Sequence, residues 1–199
     1  VYDIIQAKNG FLYVATGDGL ASYGGDRFNK FSKRVGLSEN FCNSLFSDSK
    51  QRIWIGHFEG GVTCYENGIF RKIKTSAAQA AKVISFAEDS KHNIYYTNSA
   101  GSIYNVTGDS ITPFIVEELP PANKIKIKDN LLFIASQEGL LVMDLSTGSK
   151  DYKVIGNTKD KNVTSFEFVN NEIYAGIDEV GVELIRRDNK NFTTITTYS

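Results

Sequence analysis

Residues 50 to 65, KQRIWIGHFEGGVTCY, gather the only tryptophan, one of the two histidines and one of the two cysteines of a 199-residue chain. His57 is the side chain here whose proton could move near neutral pH. A histidine works as a general base only with a nucleophile in reach and a carboxylate to orient it, and the flanking sequence names neither. His57, Phe58 and Glu59 therefore read as a binding surface. Cys42 and Cys64 fall on what would be the first and third strands of one sheet. Strands about 4.8 Å apart put them nearly 10 Å from each other, beyond the roughly 7 Å limit for a disulfide, so both are expected to be buried thiols. His92 falls in the opposite type of loop from His57, which argues against a two-histidine metal site. Asp48-Ser49-Lys50-Gln51-Arg52 offers too few oxygen ligands for a calcium loop. Neither a metal nor a cofactor is expected.

The elements that must position these residues repeat. Ile53-Trp54-Ile55 is echoed by Leu12-Tyr13-Val14, Ile94-Tyr95-Tyr96, Leu132-Phe133-Ile134 and Ile173-Tyr174-Ala175, with centres at 13, 54, 95, 133 and 174, so the steps are 41, 41, 38 and 41. A period near 40 marks a repeat architecture. Each triplet is followed by a short polar loop and a turn glycine: Gly19, Gly61, Gly101, Gly139 and Gly181. Ahead of each lies another strand-like run (YDIIQA, FCNSLFSD, KVISFAED, KIKIKD, VTSFEFV), and a fourth closes the unit, as in Arg27–Phe31 and Asn191–Ile195. Four short antiparallel strands per unit predict an all-β fold, a β-propeller of five four-stranded blades. The blades fall at about 1–40, 41–82, 83–123, 124–162 and 163–199, and the whole reads as one domain. Consecutive apolar residues in the triplets mean strands buried on both faces, as a blade between two neighbours would be. Trp54 is then inter-blade core. Only SAAQAAK, residues 76 to 82, could form a helical turn.

The chain is 41% hydrophobic and 23% charged, with a formal charge of −1, so it is expected to be globular, and no global field favours nucleic acid or an anionic membrane. No apolar run approaches the roughly 18 residues that span a bilayer, and no signal peptide opens the sequence. Val1 in place of Met points to a piece of a longer protein. Three Asn-X-Thr sequons, at Asn105, Asn162 and Asn191, are read as coincidence in a Thr- and Asn-rich chain. Five units leave no shared closing strand: the chain is either a ring closed by side-chain packing or an arc of a larger propeller. An open arc would expose two apolar blade faces, which favours the ring.

Residues 1–40, VYDIIQAKNGFLYVATGDGLASYGGDRFNKFSKRVGLSEN, with FCNSLFSDSKQRIWIGHFEGGVTCYENGIFRKI after them, resemble the two-component regulator propeller repeat. That family supplies periplasmic sensor regions of bacterial histidine kinases and hybrid two-component proteins. The likeness is detailed over residues 1 to 73 and rhythmic beyond them. It implies a periplasmic or extracytoplasmic, non-enzymatic sensor that binds a small-molecule or oligosaccharide ligand. The kinase itself would lie outside this chain, which touches no membrane directly and would homodimerise through the parent receptor. Loops around the propeller axis would carry the site: His57, Phe58, Glu59, Asn40, Asn98, Glu138, Asp178 and Lys124, with Asp18, Glu39, Gln79, Asn123, Asn162 and Glu179 on the same rim. Amides, carboxylates and an exposed aromatic suit sugar or peptide binding. A glycan hydrolase or lyase would need facing carboxylates near the axis, and the first strands offer only Asp3 and Glu167. A structural interaction scaffold is the third reading.

Overall fold

A computed structural model of the chain describes residues 1–74, 76, 81–116, 119–188 and 191–198. Residues 77–80, including Gln79 and most of the segment read as a helical turn, lie outside the described residues. Five four-stranded antiparallel sheets follow one another. Blade one is β1 (Asp3–Gln6), β2 (Leu12–Thr16), β3 (Gly19–Tyr23) and β4 (Phe28–Phe31), and blade two is β5 (Cys42–Ser47), β6 (Ile53–His57), β7 (Val62–Glu66) and β8 (Ile69–Ile73). Blade three is β9 (Val83–Glu88), β10 (Ile94–Asn98), β11 (Ile103–Thr107) and β12 (Ser110–Ile115). Blade four is β13 (Ala122–Lys128), β14 (Leu131–Ser136), β15 (Gly139–Asp144) and β16 (Tyr152–Ile155). Blade five is β17 (Val163–Val169), β18 (Glu172–Ile177), β19 (Gly181–Asp188) and β20 (Asn191–Tyr198). The five-bladed propeller read from the period is the observed fold. Blade four begins at Ala122, two residues ahead of the boundary expected from the repeat.

The chain divides into two compact units, residues 1–117 with blades one to three and residues 118–199 with blades four and five. Within each unit the triplets pack in a constant sense. Tyr13 of blade one joins Ile53 and Ile55 of blade two in one core, and Trp54 of blade two joins Ile94 and Tyr96 of blade three in another. In the second unit Phe133 meets Ile173 and Ala175. The triplet's centre thus faces the following blade and its flanks face the preceding one. Trp54, 2% exposed, is inter-blade core as its place in the repeat requires. The largest of these side chains contribute about 1.5–3 kcal/mol each on burial.

All five glycines after the triplets have left-handed backbone, with φ of +116° at Gly19, +98° at Gly61, +76° at Gly101, +135° at Gly139 and +111° at Gly181. At Gly19 a Cβ would also collide with the Phe31 carbonyl oxygen, so strand β4 closes over the turn only because no side chain is there. Aspartates fix the opposite ends of the blades. Asp48, with a fully buried side chain, accepts from the Arg52 amide at 2.9 Å, from Arg52 Nε at 2.6 Å and from Trp54 Nε1 at 2.9 Å. One repeat later Asp89 accepts from the Lys91 amide at 2.8 Å and from Asn93 through its amide at 2.9 Å and Nδ2 at 2.8 Å.

The outer blades are only half covered. In blade one the face turned away from blade two carries Ile4, 56% exposed, and Phe28, 66% exposed. In blade five the face turned away from blade four carries half-buried Tyr174 with exposed Val182 and Tyr198.

Candidate ligand-binding site

In the first unit the loops that enter the first strands and those that join second to third strands converge on three aromatic rings. Tyr2 stands one residue ahead of β1, its amide donating to the Ala15 carbonyl at 3.0 Å. Phe41 stands one residue ahead of β5, and Phe58 one residue beyond β6. The Phe58 amide donates to the Phe41 carbonyl at 3.2 Å, which ties the two loops together. Ring centroids are 4.7 Å apart for Tyr2 and Phe41 and 4.7 Å for Phe41 and Phe58, tilted by 45° and 40°. Gly17 lies against two of the rings, where a Cβ would make ordinary contacts of 3.7 Å with Phe41 and 3.8 Å with Tyr2. Lys82, leading into β9, holds its ammonium 5.6 Å from the Phe58 centroid. Tyr2 is 55% and Phe58 46% exposed, so the outer rings of this ladder are open to solvent.

Carboxylates and amides rim the ladder. Glu39 accepts from the Glu59 amide at 2.9 Å, and burial, with Glu59 beside it, holds its carboxyl above the usual range. Asn40 accepts from the Lys33 amide at 2.8 Å, which closes the loop ahead of Phe41. Exposed Asp18 pairs with Lys30 across blade one. Flat apolar rings beside hydrogen-bonding groups can stack one face of a sugar and bind its hydroxyls.

His57 is not the loop residue it was expected to be. It is the last residue of β6, opposite Cys42 in the strand register, and is 0% exposed. Both nitrogens have partners: Nδ1 donates to the Phe41 carbonyl at 3.3 Å and Nε2 meets the Thr63 hydroxyl at 2.8 Å. Desolvation pushes its pKa down to about 4, so the ring is neutral at pH 7. Thr63 in turn accepts from the Ser38 amide at 3.0 Å in the linker between blades one and two. His57 supports the ladder from below.

Asn98 is likewise a strand end rather than a loop residue. It is 1% exposed, and its Oδ1 accepts from the Ala100 and Ser102 amides at 3.1 Å each, closing the turn of blade three. In the second unit, Asn123 and Lys124 belong to β13 and not to an inter-blade loop. Lys124 reaches Glu167 at 3.9 Å, and Lys126 is paired with the same carboxylate. Glu138 is exposed on the turn after β14, where its amide donates to Ser136 Oγ at 3.2 Å. Asp178 accepts from Asn162 Nδ2 at 3.4 Å and lines, with Thr164 and Glu179, an open cleft of about 510 Å³. Of the residues expected to form the site, the structure joins Asn40, Phe58 and Glu59 at the surface, with His57 beneath. Sequence reading missed Tyr2, Phe41 and Lys82. The signal was present: Tyr2 and Phe41 both stand immediately before a first strand, 39 residues apart.

The catalytic alternatives lose their parts to structure. Asp3 Oδ2 accepts from the Leu45 amide at 2.7 Å and joins blade one to blade two, while Glu167 is held by two lysines, which lower its pKa against the opposing effect of burial. Ser49, Glu88 and His92 meet in the first unit, but Ser49 Oγ at 2.8 Å and Glu88 Oε1 at 3.0 Å both reach the same nitrogen, His92 Nδ1. A catalytic histidine must bridge its acid and its nucleophile with different nitrogens. Cys42 and Cys64 are free and buried, and burial pushes the Cys42 thiol up to about 12, far from thiolate chemistry.

Fold and site together define a propeller with an aromatic ladder on its loop face. No protein-family profile and no curated protein matches the sequence. Solved structures do. Streptogramin B lyase superposes with a TM-score of 0.77 at 15% identity, covering 100% of this chain and 69% of that one. Virginiamycin B lyase from Staphylococcus aureus gives 0.75 at 11% identity, covering 96% and 68%. The extracellular domain of the hybrid two component system BT4673 from B. thetaiotaomicron gives 0.60 at 14% identity, covering 98% and 36%. At these identities the likeness establishes the propeller fold.

Proposed function

We propose that this propeller is a non-enzymatic ligand-recognition module, the extracytoplasmic input region of a two-component sensor, and that Tyr2, Phe41 and Phe58 form the stacking surface for a saccharide. The observation that carries the reading is the exposed ladder, two rings of which are about half open to solvent with carboxylate and amide groups at their edge. Support for the sensor context comes from the repeat resemblance in residues 1 to 73 and from the likeness to the extracellular domain of a hybrid two component system. Likeness to two lyases keeps an enzymatic propeller as the second reading, for which a glycan hydrolase or lyase is the form weighed from the sequence. Against it, Asp3 and Glu167 are each committed to a structural contact.

The test is calorimetric titration and thermal shift against a panel of neutral and acidic oligosaccharides. A binder should raise the melting temperature in proportion to ln(1+[L]/Kd). Phe58→Ala should weaken binding about 30-fold, the equivalent of roughly 2 kcal/mol for an aromatic anchor, and Tyr2→Ala should act in the same direction. A panel without any binder sinks the recognition reading. Turnover of a glycan, lost on replacing Asp3 or Glu167, sinks the non-enzymatic one.

A further inference from the structure

The turns between first and second strands follow one rule in blades one to three. The residue that opens the turn donates its amide to the carbonyl four residues on: Ala7 to Phe11 at 2.9 Å, Asp48 to Arg52 at 3.0 Å and Asp89 to Asn93 at 3.0 Å. The aromatic centre of the triplet stands six residues after that opening residue, so Tyr13, Trp54 and Tyr95 are equivalent. Where the opening residue is an aspartate, its carboxylate caps the aromatic. Asp48 accepts from Trp54 Nε1 at 2.9 Å, and Asp89 from the Tyr95 hydroxyl at 3.5 Å. Blade one has Ala7 there, and alanine has no carboxylate to give.

Ala7 instead lines a recessed cavity of about 180 Å³ between blades one and two. Buried Tyr13 and Ile53 line it too, with half-buried Tyr65 beside them, its ring 6.0 Å from that of Tyr13. The exposed carboxamides of Asn9, Gln51 and Asn67 edge it, one from each of the turns β1–β2, β5–β6 and β7–β8. Burial and the Tyr65 phenol raise the Tyr13 pKa, with the Asn9 carboxamide opposing, so the Tyr13 hydroxyl keeps its proton. Among the described residues, none of the side chains lining the cavity is charged.

We propose that this cavity binds a small uncharged polyol. Its volume is that of about six water molecules at roughly 30 Å³ each, which suits a molecule of about half a dozen non-hydrogen atoms. An ion would find no opposite charge in the lining, and an apolar molecule would leave phenols and carboxamides unpaired. Hydroxyl groups both donate and accept, as phenols and carboxamides do, so a polyol can pair with all of them. The site lies at the other end of the blades from the aromatic ladder and does not depend on the sensor reading.

The test titrates the ¹⁵N-labelled 199-residue chain with glycerol and with erythritol and follows the side-chain amide signals of Asn9, Gln51 and Asn67 by NMR. Those signals should shift saturably, with a dissociation constant in the millimolar range, while the Asn40 signal beside the ladder stays in place. Ala7→Asp restores the carboxylate that blades two and three carry and should weaken binding at least 10-fold. Gln51→Ala, at an exposed position, keeps the test open should the first variant misfold; it removes one carboxamide and should weaken binding about 5-fold. Shifts that grow without saturating, as an excluded osmolyte produces, overturn the proposal and leave the cavity to solvent alone. Saturation confined to Asn40 overturns it in favour of the ladder, and wild-type affinity in either folded variant overturns it as well.

Discussion

Asp48 should be the most costly surface-distal residue to remove. Its carboxylate has no solvent exposure, while Arg52 is 16% exposed, and three donors converge on it within 2.9 Å. The Arg52 guanidinium also lies 4.9 Å over the Trp54 ring. Asp48→Ala strands that guanidinium and the indole N–H in the wall between blades two and three. Breaking one partner of a buried pair costs about 3–5 kcal/mol, because the remaining charge and donors lose their solvent without replacement. For a chain of this size about 1 kcal/mol shifts the melting temperature by roughly 2–4 °C, so a fall of about 6–20 °C is expected. Circular dichroism follows the melt, and Trp54, the only tryptophan, reports the local environment by fluorescence. The surface pair Asp18 and Lys30, with side chains 73% and 60% exposed, serves as reference and should cost less than about 0.5 kcal/mol. In the Trp54→Phe background the penalty of Asp48→Ala should shrink, since one donor is gone. A melting temperature within 2 °C of wild type for Asp48→Ala would refute the argument that this hairpin is held by its aspartate.

Three further outcomes are expected. The folded pKa of His57 is lowered to about 4 from an unfolded value near 6.5, so the unfolded state takes up a proton that the folded state refuses; stability is full above pH 6.5 and declines by up to about 3 kcal/mol as pH falls toward 4. Urea midpoints at pH 7 and pH 4.5 should show that loss, and His57→Gln should flatten it. Tyr96 buries a hydroxyl with no partner among the described residues, so Tyr96→Phe should match or exceed wild-type stability by about 1 kcal/mol in the same denaturation series. Gly56→Ala should be destabilising by several kcal/mol, since its Cβ would sit 2.7 Å from Val83 Cβ and would crowd Ser44 Oγ as well.

Much of the fold was legible because a propeller states its rule once per blade. The 40-residue period, the apolar triplets, buried on both faces in blades two and four, and the turn glycines are local signals, and all five glycines proved to need φ values that other residues resist. Trp54 and the two thiols were placed correctly for the same reason. The surface was less legible. His57 looked like a loop residue because histidine is polar and follows the triplet, yet β6 runs one residue further and finds it a carbonyl and a hydroxyl from sequence-distant segments. Asn98 misled in the same way, its side chain spent on the turn it was expected to decorate. The ladder needs Tyr2, Phe41 and Phe58 from three loops, and only the third belongs to the stretch whose rare residues draw attention.

The Phe41 carbonyl oxygen is shared. It receives the Phe58 amide at 3.2 Å from the ladder and His57 Nδ1 at 3.3 Å from the buried side, and beyond His57 come Thr63 and the Ser38 linker. If the ladder binds as proposed, a molecule that displaces the Phe41 main chain as it docks would displace His57 as well. The loop surface and the joint between two blades share one atom, and a filled site would then be felt several residues from where it is filled.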